Sequence, residues 1–401
     1  MTRTVRVLAA PLARVLAFAA CVAACLWTRP VIADGPAEGA PPVLTGRAAL
    51  GRAIFFDARL SEPQGTSCAS CHDPAKAYSG DHGSGVGVPA GSRPGVLARR
   101  VAPSLLYLRY VPRFRFFSDD EDNHSIGYTP HGGFFWDGRA DSIADLVRQP
   151  LLNPREMNNR DPAQIADKLR AAPYAAAFEK EFPGALNDPD SAVRALGVAL
   201  QMYLLSPSMA PFASKYDDVM RGKATFSAQE KQGLELFKSR RAGCAACHLL
   251  VDTVPDPSRS LFTDYSYDAV GAPRNRKLHT HEDDLGVCER TDANNPSNDA
   301  QYCASFRTPS LRNVAVRPAY MHNGAFTRLR DVVKFYATRA SDPTHWYPSG
   351  TPFDDTPEAY RGMINTRQAP YDRKATDGPA LDDAEVDAIV AFLGTLTDRR
   401  P

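Results

Sequence analysis

Between Asp382 and Leu396 the apolar residues Val386, Ile389, Val390, Phe392, Leu393 and Leu396 recur at helical spacing, which predicts an amphipathic closing helix. Two earlier segments read the same way. Arg47 to Phe55 is one, and Ser227 to Phe237 is the other, with Ser227 placed as N-cap and Glu230 three residues on. Each of these contains a Gly and a Phe four residues apart, Gly51 with Phe55 and Gly233 with Phe237, and is followed after a short turn by a cysteine pair. The pattern predicts duplication of one unit. Strand alternation is scarce, and residues 80–135, 252–310 and 340–380 are rich in Pro, Gly and Asp. These read as loops too long to be idle connectors, suited to wrapping a cofactor. The expected fold is mostly α, with long wrapping loops and two similar domains meeting near residue 222.

Composition sharpens this picture only in places. With 401 residues, 43% of them hydrophobic, the chain can bury two domain cores. The 47 basic and 46 acidic residues leave a net charge of +1, too little to gather nucleic acid or an anionic membrane. Arg3 and Arg6 precede an apolar run from Val7 to Trp27, and Val31-Ile32-Ala33 offers a cleavage site before Asp34. Residues 1–33 are therefore expected to be a signal peptide, the alternative being a retained anchor that Arg14 would interrupt. No later segment is apolar enough to span a bilayer, so the mature chain, without a membrane span, is expected in an oxidising compartment outside the cytoplasm.

The eight cysteines carry the chemistry. Cys21 and Cys25 leave with the signal, and Cys288 and Cys303 are expected to form a disulfide, with two separate thiols as the alternative. The other four sit in two CxxCH motifs, Cys68/Cys71/His72 and Cys244/Cys247/His248. Two thiols placed for the vinyl groups and a histidine directly after the second are what a covalently held c-type haem requires. A zinc site would not need a histidine after each pair. His124, His131, His279, His281, His322 and His345 form no recognised metal pair and are expected to be structural or solvated.

Gly51-Arg-Ala-Ile-Phe-Phe-Asp, Ser67-Cys-Ala-Ser-Cys-His-Asp-Pro, Phe134-Phe-Trp-Asp-Gly-Arg-Ala and Pro154-Arg-Glu-Met appear in order, followed by Thr308-Pro-Ser-Leu-Arg-Asn-Val-Ala and Ala319-Tyr-Met-His-Asn-Gly. Through these motifs nearly the whole mature chain resembles the bacterial dihaem cytochrome c peroxidases and their relatives of the MauG type. The resemblance implies a peroxidatic haem domain over 34–222 and an electron-transfer haem domain over 223–401, with Trp136 between the haems. It also implies that Glu156, six residues after Pro150, is the distal acid, so that Glu156, Trp136 and Pro150 form the catalytic set.

Departures from the family pattern bear on the branch. The second haem of the peroxidases takes a methionine ligand where Tyr336 stands here, and MauG-type proteins have tyrosine there. Met321 is the competing ligand. The loop Gly83 to Arg100 lacks the histidine that ligates the first haem in the peroxidases, and His82 before it is expected to be solvated, which implies an open first site. Leu146 replaces a frequent glutamine, and Val101 replaces an asparagine that often helps bind calcium, which leaves a calcium ion in doubt. The resemblance implies reduction of hydrogen peroxide to water, with a small cytochrome c or cupredoxin as electron donor. A MauG-like oxidation of a partner protein's side chain is the second expectation, and a passive electron carrier the third.

Overall fold

The structure, a computed structural model, describes residues 43–118, 128–279, 282–290 and 300–399. The expected signal peptide, His124 and His281 lie outside the described residues. The helices are α1 (Gly46–Phe55), α2 (Cys68–Cys71), α3 (Ile143–Leu152), α4 (Pro162–Arg170), α5 (Ala175–Glu181), α6 (Pro189–Leu204), α7 (Lys215–Met220), α8 (Ala228–Lys238), α9 (Cys244–Cys247), α10 (Leu329–Thr338), α11 (Pro343–Trp346) and α12 (Asp383–Gly394). Strands β1 (Arg115–Ser118) and β2 (Tyr128–His131) pair antiparallel, as do β3 (Tyr267–Asp268) and β4 (Phe306–Arg307). The chain is thus mostly helical, with only short strands among the described residues.

The capping box expected at Ser227 is present. Ser227 Oγ accepts from the Glu230 N–H at 3.2 Å, and the Ser227 N–H donates to Glu230 Oε2 at 2.7 Å. Asp382 and Glu385 exchange the same pair of bonds at the start of α12. Each box satisfies N–H groups that the first helical turn leaves without partners.

Two apolar cores organise the molecule. One is drawn from residues between Leu50 and Met209, the other from residues between Tyr216 and Leu396. Their central packing is the same. α1 lies so close to α6 that a Cβ on Gly51 would stand 1.9 Å from the Ala199 carbonyl oxygen, and α8 meets α12 with Gly233 at the same distance from Ala388. Four residues on, Phe55 meets Tyr203 edge-on at 5.5 Å, and Phe237 meets Phe392 at 5.3 Å. The Gly/Phe pairs of the sequence are therefore helix-crossing contacts, made once in each copy. Gly233→Ala should cost about 1–3 kcal/mol or more, because a backbone carbonyl cannot yield as a side chain would. A fall in the denaturation midpoint checks this, and an unchanged midpoint would show that the crossing tolerates a methyl group.

Cys288 and Cys303 form a disulfide, as expected. Asp398 ties the cores together: it accepts from Tyr107 Oη at 2.6 Å and from Asn313 Nδ2 at 2.6 Å.

Candidate functional site

Each CxxCH forms one short helical turn, α2 or α9, with its histidine at the C-cap and the histidine N–H bonded back to the first cysteine's carbonyl at 2.9 Å. His72 Nδ1 lies 3.0 Å from the Tyr78 carbonyl, and His248 Nδ1 lies 2.9 Å from the Phe262 carbonyl. Those bonds assign the proton to Nδ1 and leave the Nε2 lone pair of each ring for a metal. Burial lowers the pKa of both imidazoles, which favours the neutral form a ligand must take. Burial also pushes all four thiols up to about 12, so they are neutral, and none is in a disulfide.

The cradle behind each histidine is duplicated beyond the motif. Tyr78 and Phe262 both have positive φ, 56° and 54°. Ser79 Oγ donates to the Ala102 carbonyl, and Thr263 Oγ1 to the Thr308 carbonyl, each at 2.7 Å. Ser104 Oγ donates to the Ala77 carbonyl, and Ser310 Oγ to the Leu261 carbonyl, each at 2.6 Å. The segments Pro103-Ser104-Leu105 and Pro309-Ser310-Leu311 thus hold the two histidine-bearing loops identically, and Tyr107 and Asn313, the two side chains that donate to Asp398 beside the Ala213 N–H, are equivalent residues.

The first cavity is lined by Cys71, His72, Trp136, Arg139, Leu146, Gln149, Pro150, Asn153 and Glu156, among others. The structure therefore brings Glu156 and Pro150 to the same space as His72. Pro150 sits in the last turn of α3, where it lacks the N–H that the Leu146 carbonyl would otherwise accept. Glu156 takes a bond from Asn153 Nδ2 at 2.7 Å. Burial raises its pKa, opposed by the Arg139 charge and the Asn153 bond. Arg139 carried no assigned role in the sequence. It is held by Asp137 at 2.9 Å and donates to Gln149 Oε1 at 2.7 Å, so the one glutamine lining the cavity is engaged by arginine. Leu146 is buried in the wall. His82, expected to be solvated, is half-buried, with Nδ1 2.8 Å from the Ala90 carbonyl. It is not among the cavity's lining residues.

The second cavity is lined by Cys244, Cys247, His248, Asp268, Met321, Tyr336 and Tyr371, together with Arg307, Arg317 and His322. Both candidate ligands, Tyr336 on α10 and Met321, reach it. Burial pushes the Tyr336 phenol above its usual range, against a hydrogen bond from Tyr371, whose ring stacks on it at 5.8 Å. His322, expected to have no special place, lines this cavity: it is buried, stacked on Phe306 at 3.6 Å, with Nε2 3.2 Å from Asp355.

Trp136 lines both cavities. It is 8% exposed, and its Nε1 donates to the Val101 carbonyl at 2.9 Å, which fixes the ring. Beside it, Asp137 is bonded by Arg100 at 2.5 Å, and Arg100 also binds Asp284 at 2.6 Å. Among the described residues no group of three or more His, Cys, Asp or Glu side chains is arranged to hold a metal ion. Paired neutral thiols, a ligand-ready imidazole and an adjoining apolar-walled cavity fit a haem at each motif.

The sequence profile of a family described as di-haem cytochrome c peroxidase matches residues 45–225. The methylamine utilization protein MauG of Paracoccus denitrificans is 37% identical over 381 residues, covering 92% of each chain. The cytochrome-c peroxidase IdrP2 of Denitromonas iodatirespirans is 31% identical over 343 residues, covering 79% of this chain and 82% of that one. In structure, the diheme peroxidase BthA from Burkholderia thailandensis superimposes with a TM-score of 0.82 at 46% identity, covering 89% of this chain and 88% of that one. The chain belongs to the bacterial dihaem cytochrome c peroxidase and MauG family, and is an oxidoreductase with two haem cofactors.

Proposed function

We propose that the chain is a periplasmic peroxidase that reduces hydrogen peroxide to water in the cavity beside His72, with electrons arriving from the His248 side through Trp136. The observation that carries this reading is the position of Trp136, one fixed indole in the walls of both cavities. The balanced reaction takes one hydrogen peroxide, two electrons and two protons to two waters. Bound at the two motifs, the haems would supply irons that exchange single electrons.

The protein does the rest. Cys68 and Cys71, and Cys244 and Cys247, form the thioether links, and His72 and His248 present Nε2 as ligands. Glu156 takes a proton from the incoming peroxide and returns it to the departing oxygen, a general-base then general-acid role. Arg139 keeps a positive charge beside that carboxylate, and Leu146 and Pro150 wall the space. Tyr336, which lines the second cavity, would hold the iron there as a ligand, so that peroxide is directed to the first. Residues 34–222 and 223–401 would then act as the peroxidatic and electron-transfer domains, with the second core reaching back to Tyr216.

A second reading is favoured by Tyr336 and by the absence of histidine between Gly83 and Arg100: oxidation of a partner protein's side chain, with the partner supplying the electrons. Intact mass of the purified protein tests the covalent attachment of two haems. Peroxide consumption with a reduced small cytochrome c or cupredoxin tests the reaction. Sustained turnover supports peroxide reduction, poor turnover with strong peroxide reactivity supports the second reading, and no reaction with peroxide would return the chain to an electron carrier.

A further inference from the structure

We propose that Arg317, assisted by Arg307, is the seat for a propionate carboxylate of the haem at Cys244, Cys247 and His248, a role that rests on haem attachment there. Arg317 is 7% exposed and lines the second cavity. Its Nε is buried with no hydrogen-bond partner, and among the described residues none of its side-chain nitrogens forms an ion pair. The charged groups acting on it are the Tyr320 phenol and a second cation, Arg307. No carboxylate is among them. An isolated buried guanidinium is costly, because the water it leaves is replaced by nothing of opposite charge. That cost shows in its pKa, which burial lowers to about 10.

Arg307 lines the same cavity from β4, its Nε donating to the Phe135 carbonyl at 3.2 Å, and it too has no carboxylate partner among the described residues. Two arginines at one cavity wall, neither paired with a carboxylate among the described residues, call for an anion inside the cavity. Haem carries two propionate carboxylates, and guanidinium is the side chain best shaped to bind carboxylate.

The duplicated fold supplies a control. Arg317 follows the 3-10 helix Val314–Val316, whose N-cap Asn313 has φ 60°, just as Val111 follows Leu108–Tyr110, whose N-cap Tyr107 has φ 64°. With Pro309 equivalent to Pro103, Arg307 falls on Val101 and Arg317 on Val111. The first copy thus has valines at both positions. Its four cavity arginines, Arg99, Arg100, Arg139 and Arg148, are instead each paired with a carboxylate, of Glu289, Asp284, Asp137 or Asp190. Among the described residues lining the two cavities, the arginines without a carboxylate partner are those of the second.

The test compares holoprotein of the parent, Arg317→Met and Arg317→Lys by intact mass, thermal stability and spectroelectrochemical titration of each haem. A parent lacking two haems by mass would fail the attachment reading, separately from this one. A cation beside the propionate favours the reduced haem. Arg317→Met should therefore lower one midpoint by about a tenfold change in the reduced-to-oxidised ratio, ~59 mV for one electron, and leave the other haem unchanged. It should also lower holoprotein stability, with Arg317→Lys intermediate. Unchanged midpoints, with equal or greater stability, would overturn the proposal, since removing a truly unpaired buried charge is stabilising. Loss of the second haem in Arg317→Met but not in Arg317→Lys would support it. If neither variant accumulates, Arg307→Met decides on the same readout: a lowered midpoint at one haem supports the proposal, and two unchanged midpoints overturn it.

Discussion

Glu156→Gln should lower peroxide turnover by about 10²–10⁴-fold while both haems remain attached, the range expected when a positioned general base is removed. Glutamine preserves the shape of the side chain and can still accept the 2.7 Å bond from Asn153, so the cavity wall should not collapse. What is lost is the ability to take and return a proton. The pH profile makes the assignment specific. Burial raises the Glu156 pKa above its ordinary 4.5, and the reactive form is the carboxylate. Activity should therefore be present above the raised pKa and fall as pH drops through it, placing the acid limb higher than an exposed glutamate would. The variant should lack that limb. A variant with parental turnover and an unchanged profile would remove Glu156 from the mechanism.

Arg312→Met should destabilise the protein by about 3–5 kcal/mol, the cost of leaving one member of a buried ion pair uncompensated. Arg312 Nη1 lies 3.0 Å from Asp217 Oδ1, and both side chains are 0% exposed. The same guanidinium donates to the Ser260 and Pro257 carbonyls and stacks over Phe212 at 4.6 Å and Tyr107 at 5.1 Å. It directly follows Leu311 in the segment that holds the His248 loop, and Tyr107 belongs to the equivalent segment of the first copy. The pair therefore fixes one cradle against the other. The double change Arg312→Met with Asp217→Asn should recover part of the loss, because the orphaned charge is then gone as well. Denaturant midpoints of Arg312→Met, Asp217→Asn and the double variant measure this, and an additive double variant would show that the two groups do not interact.

What could be read from the sequence was what local chemistry dictates. The helices ending at Phe55, Phe237 and near Leu396 carry their own periodicity, and two carry capping boxes, so they were legible within about two residues. The partner of α1 was not. α6 is apolar on most sides from Ala192 to Leu204, and a helix buried that fully loses the periodic contrast that marks an amphipathic one. In the site, CxxCH announces itself because thioether and ligand lie within five residues. Arg139 and Gln149 meet only through the folding of α3 against the Trp136 loop, and no spacing reveals that. His322 is likewise drawn to the second cavity by Phe306 and Asp355 from other parts of the chain. The cradle was within reach: Pro103-Ser104-Leu105 recurs as Pro309-Ser310-Leu311, a short repeat whose two serines do the same work.

The proposed function requires two unlike haem sites, the first open beside Glu156 and the second closed by Tyr336. Low-temperature electron paramagnetic resonance of the oxidised protein, beside Tyr336→Phe, tests it most directly. One high-spin and one low-spin ferric signal, with only the low-spin signal altered in the variant, is the result expected. Two low-spin signals insensitive to Tyr336 would contradict it, leaving both irons closed and the tyrosine a core aromatic.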